Sequence, residues 1–109
     1  MEGRAQRELE ESERLVNSLF SQINTNTTDQ EEINGILKEL DYIGEGERIV
    51  HLVGPVLVKE RKEEVRMELK DKLASLQREE AELRTQLNEE RERHDHLQSK
   101  AISNGYSYR

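Results

Sequence analysis

The chain has 109 residues, of which 38% are charged, 32% hydrophobic and 4% aromatic, with a single phenylalanine, Phe20, and no tryptophan. That apolar content is too small for a compact globule of this length, which leaves disorder or long helices that bury only a narrow seam. The formal net charge of -7, with acidic residues interspersed among lysine and arginine, excludes a nucleic-acid-binding surface, and the lack of cysteine excludes disulfides, thiolate metal sites and thiol nucleophiles.

The N-terminal stretch MEGRAQRELEESE lacks the apolar core of a signal peptide, and no apolar run is long enough to cross a bilayer. A soluble, cytoplasmic protein with no membrane partner is therefore expected. From Leu9 onward the apolar residues fall into heptad register. Leu9, Val16, Ile23 and Leu37 hold one seam position, and Leu19, Ile33 and Leu40 hold the other. This pattern predicts a first coiled-coil helix over residues 5–43. Two seam places, Asn26 and Gln30, are polar and lie in INTNTTDQ, a run of poor helix formers. A continuous but weakened helix is expected there. The other reading is a fresh start capped at Thr28 or Asp29, with Glu31 in capping-box spacing from Thr28.

Gly44 and Gly46 are expected to end this helix. Ile49 to Val53 and Val56 to Val58 then read as two short strands of a β-hairpin over residues 47–59, with Gly54 and Pro55 as the turn. A second helix is predicted over 61–101, with Leu69, Leu76, Leu83 and Leu97 at one seam position and Leu73, Leu87 and Ala101 at the other. Its polar faults are Glu80, Glu90 and His94. Folded back antiparallel, the helices bring Leu37 and Leu40 opposite Leu73 and Leu69. Residues 102–109 have no periodicity and read as a flexible tail.

The hairpin does not alternate apolar and polar residues, so both of its faces need cover that the rest of the chain cannot supply. It is therefore expected to pair with hairpins of other subunits. The fold class expected is mainly α: a long antiparallel two-helix coiled coil with a central β-hairpin that joins an intersubunit β-barrel. The oligomer interface comprises Ile49, Val50, Leu52, Val53, Gly54, Pro55, Val56, Leu57 and Val58.

Helix, hairpin and helix of matching length, with LVGPVLVK at 52–59 and KELD at 38–41, resemble a β-type prefoldin subunit, one domain spanning 1–109. The Gly-Pro pair followed by Lys59 is more similar to prefoldin subunit 6 and archaeal β subunits than to other eukaryotic β-type subunits, where Gly-Gly is expected. The resemblance implies a heterohexamer with α-type and other β-type prefoldin subunits. It also implies an ATP-independent chaperone whose coiled-coil tips hold unfolded proteins, such as actin and tubulin, for the cytosolic ring chaperonin of group II. INTNTTDQ makes the first helix more polar than that family pattern.

On this reading the antiparallel fold brings both chain ends to the tip, and the client-binding candidates are Leu9, Val16, Leu19 and Phe20, with Leu97, Ile102, Tyr106 and Tyr108. The alternative is a structural coiled-coil tether or adaptor, in which these leucines only close the coil. His94 and His96 point to different faces of a helix and lack a third ligand, so no metal is expected. The runs around Glu79–Glu82 and Glu89–Glu92 read as solvated helix surface, paired in places with neighbouring arginines. Asn26-Thr27-Thr28 fits the glycosylation pattern but has no export signal to bring it into use. With no phosphate-binding loop or nucleophile–base pair, neither a cofactor nor enzymatic activity is expected.

Overall fold

The computed structural model describes residues 2–42, 48–50 and 59–103. Helix α1 spans Glu2–Leu40 and helix α2 spans Lys62–Ser103. Between them in sequence lie two three-residue strands, β1 at Arg48–Val50 and β2 at Lys59–Arg61. The helical residues form two compact units, Asn26–Glu79 and Met1–Thr25 with Glu80–Arg109.

In the unit of residues 26–79, Ile33, Leu40, Val65 and Leu69 form a buried cluster, with Ile36, Leu37, Leu73 and Leu76 packed against it. Each of these aliphatic side chains removed from water contributes about 1.5–3 kcal/mol. The helices run antiparallel here. Asn26 Nδ2 donates to the Leu76 carbonyl at 3.0 Å, while at the other end of the unit Arg66 meets Asp41 at 2.8 Å. As expected from the heptads, Leu37, Leu40, Leu69 and Leu73 share one core. The sheet of this unit pairs β1 with β2 antiparallel, Arg48 against Arg61, Ile49 against Glu60 and Val50 against Lys59.

In the unit of residues 1–25 and 80–109, Leu19, Ile23, Leu83 and Leu87 are buried together, with Val16 against them. Leu9 and Ala101 are also buried. Ser12, fully buried, donates its hydroxyl to Glu90 Oε2 at 2.7 Å, and Arg93 holds the same oxygen at 2.9 Å. Ser12 therefore occupies a third polar place in the α1 seam, in register with Leu19 and Asn26.

The structure bears out the expected continuity of the first helix and corrects the ends of both helices. Helix α1 is continuous through the weak stretch 24–30, with no fresh start at Thr28 or Asp29. Tertiary contacts outweigh propensity there, because Asn26 is buried and tied to α2 while Gln30 donates to Asn26 Oδ1 at 2.5 Å. The helix ends at Leu40 rather than at 43. Asp41 N bonds Lys38 O and Tyr42 N bonds Glu39 O, both at 3.1 Å, which tightens the last turn.

Residue Arg61 belongs to β2 rather than to the second helix, and Ile102 and Ser103 are helical rather than part of a tail. The second strand was expected at Val56 to Val58, where β-branched residues are dense, and those residues lie outside the described ones. The pairing observed uses Lys-Glu-Arg at 59–61, a segment whose composition gives no strand signal. The turn at Gly54-Pro55 and the apolar residues 51–58 lie outside the described residues, as do Gly44, Gly46 and the tail residues 104–109. Acidic Glu63 and Glu64 in the first turn of α2, and basic Lys38 and Lys100 in the last turns of α1 and α2, complement the helix dipoles.

Candidate interaction surfaces

Two kinds of surface were expected from the sequence, a client-contact region near the chain ends and an assembly segment at the hairpin. The residues proposed for client contact separate by burial. Leu9 and Leu19 are buried in the helix pair, so that an outside chain reaches them only if the helices part. Val16 and Leu97 are half-buried. Phe20, 42% exposed, and Ile102, 60% exposed, present apolar surface to solvent. Tyr106 and Tyr108 lie outside the described residues.

Phe20 stands beside the seam because α1 places Leu19 and Ile23 inward and leaves residue 20 about a hundred degrees round from Leu19. The Arg91 guanidinium of α2 sits over its ring, 5.7 Å from the centroid, a cation–π contact worth about 0.5–1 kcal/mol at an exposed site. Together they line an open groove of about 460 Å³, whose other walls are Glu13, Val16, Asn17, His94 and Asp95. Within it His94 Nε2 lies 3.4 Å from Glu13 Oε1 across the helix pair. His94 is therefore part of an interhelical polar contact, while His96 lines a separate groove with Ser99, Lys100 and Ser103.

A second open groove carries Leu15, Ser18, Leu19 and Gln22 from α1 and Gln86, Glu89, Glu90 and Arg93 from α2. Leu15 is exposed. It is the residue that heptad reading missed, since it lies outside both seam positions and the only signal for it is its own apolarity. Both grooves mix apolar side chains with charged ones in their walls. Such surfaces suit loose contact with an extended apolar segment better than enclosure of a small ligand.

Of the expected interface residues, Ile49 and Val50 lie in β1, while Leu52, Val53, Gly54, Pro55, Val56, Leu57 and Val58 lie outside the described residues. Just past the end of α1, Asp41 accepts from Arg66 of α2, and this contact, with Glu63 at 3.7 Å, raises the Arg66 guanidinium above its ordinary value. Among the described residues no helix is long and apolar enough to cross a membrane.

The family model described as "Prefoldin subunit" matches residues 4–103. The chain belongs to the prefoldin subunit family. Members of this family are chaperone subunits, and they assemble into oligomeric complexes with other prefoldin subunits. Among solved structures, the prefoldin chain is similar to the prefoldin beta subunit from Thermococcus strain KS-1. The two are 20% identical with a TM-score of 0.84, over 94% of this chain and 90% of that one. The fold is thus that of a β-type prefoldin subunit. No curated protein sequence matches the chain.

Proposed function

We propose that this prefoldin subunit is a non-enzymatic, ATP-independent holdase that forms one domain over residues 1–109 and works in the cytoplasm within a heterohexamer of α-type and β-type subunits. Unfolded chains, actin and tubulin among them, are held near the ends of its helices and passed to the cytosolic group II chaperonin. The string LVGPVLVK favours a place like that of prefoldin subunit 6. The observation that carries the reading is the exposure of Phe20 and Ile102 on the helix pair that holds both helix ends. Several weak apolar contacts of this kind, one set per subunit, add by multivalency while each stays reversible.

The second reading, a coiled-coil tether, draws on the burial of Leu9 and Leu19, which serve there only to close the coil. A double variant, Phe20→Ser with Ile102→Ser, separates the two, because it changes exposed side chains and leaves the seam intact. Complexes reconstituted with it are expected to form normally and to lose several-fold in suppressing aggregation of chemically denatured actin. Undiminished suppression by an intact complex points to the tether.

A further inference from the structure

In the unit of residues 1–25 and 80–109, two exposed apolar side chains are joined by one face of α2. Phe20 shares its groove with Arg91, His94 and Asp95. Ile102 stands seven residues, or two turns, past Asp95, and so projects from the same face of α2 as that carboxylate. Phe20 and Ile102 are both exposed, and the Asp95 side chain on the face between them is 82% exposed. From α1, Glu13 brings a second carboxylate to the groove, 3.4 Å from His94. A segment that covers this strip needs apolar bulk at Ile102 and at the groove, and a cation at the carboxylates.

Residues 104–109, Asn-Gly-Tyr-Ser-Tyr-Arg, carry those groups in that order. Asn104-Gly105 is a turn-forming pair, able to send the chain back along the helix it leaves. Beyond such a turn, Tyr106 to Arg109 in extended form span about 13 Å at about 3.3 Å per residue, with both tyrosines on one side. Ser103 lies nine residues past His94, which is also about 13 Å at 1.5 Å per residue. The reach therefore brings Tyr106 beside Ile102, Tyr108 toward the groove, and Arg109 to the level of Glu13 and Asp95. Because the segment is tethered at Ser103, a few weak contacts suffice to hold it. We infer that residues 104–109 fold back along this strip of their own chain, cover Ile102 and the Phe20 groove, and give way when a client takes the place. The docking is a property of the single chain, and only the displacement by a client rests on the holdase reading proposed above.

Hydroxyl-radical footprinting of the full chain, read at Phe20 and Ile102, tests the docking. The double variant Tyr106→Ser with Tyr108→Ser changes no residue of either helix, so helicity is expected to stay that of the parent. Reactivity at Phe20 and Ile102 is expected to rise at least twofold in it, and by a smaller factor in Arg109→Glu. Reactivity equal to the parent's in both variants overturns the inference. Protection that grows with chain concentration also overturns it, since the cover then comes from a second copy. In reconstituted complexes the tyrosine variant is expected to bind chemically denatured actin several-fold more tightly, because the strip no longer has to be cleared. Equal or weaker binding overturns the displacement, and weaker binding makes the tyrosines client contacts instead. If Phe20→Ser with Ile102→Ser leaves suppression of actin aggregation undiminished, the holdase reading fails, and the footprint alone decides the docking.

Discussion

Asn26 shows how a single polar side chain keeps two long helices aligned. It sits where a leucine would pack best, yet its amide reaches the Leu76 carbonyl and its oxygen accepts from Gln30, so it is buried without an orphaned group. A helix pair joined by apolar contacts alone can slide by a heptad at small cost, whereas sliding this pair would strand the Asn26 amide in the seam. Replacing Asn26 with Leu is expected to raise stability by about 1–2 kcal/mol, since burial of the aliphatic group exceeds the net worth of one neutral hydrogen bond. Urea denaturation followed by circular dichroism measures the gain. Asn26, Gln30, Glu90 and His94 could be read from the sequence as breaks in an apolar register. Ser12 could not, because a serine beside charged neighbours looks like surface. Only counting seven back from Leu19 places it in the seam, where its hydroxyl meets Glu90.

At the level of helices and strands, the heptad periodicity made both helices legible, and their ends were the part it missed. Periodicity reports which face is buried, whereas ends are set by local bonds such as those of Asp41 and Tyr42, which tighten the last turn of α1 ahead of Gly44. Strand β2 was hidden for a different reason. Lys59-Glu60-Arg61 has no β-branched residue and pairs through its backbone with β1. The burial pattern within one helix makes a sharp prediction. Leu40 is 0% exposed in its cluster, and Leu40→Ala is expected to cost about 2–5 kcal/mol. The same change at exposed Leu15 is expected to cost under about 1 kcal/mol. Denaturant midpoints of the two variants give the contrast, and equal losses would contradict the seam assignment.

For the molecule as a whole, composition spoke first: a chain so charged and so poor in aromatics could bury only seams, and two helices of 39 and 42 residues are what it forms. Membership of the prefoldin family was legible in the short string around Gly54-Pro55. The client surface was less so. Sequence patterning does not distinguish a leucine that closes a coil, such as Leu9, from a residue left in solvent, such as Phe20. Val56→Asp or Leu57→Asp is expected to prevent complex formation, because a carboxylate would be buried unpaired at a cost of several kcal/mol. Native mass spectrometry reads the result directly, and an intact complex with either variant would remove the hairpin from the interface. The antiparallel course of the helices also has a practical side. Leu9 and Ala101 are buried in one unit, so the start of α1 at Glu2 and the finish of α2 at Ser103 leave it together. A spin label on the first turn of α1 and one on the last turn of α2 would therefore report on the same end of this helix pair.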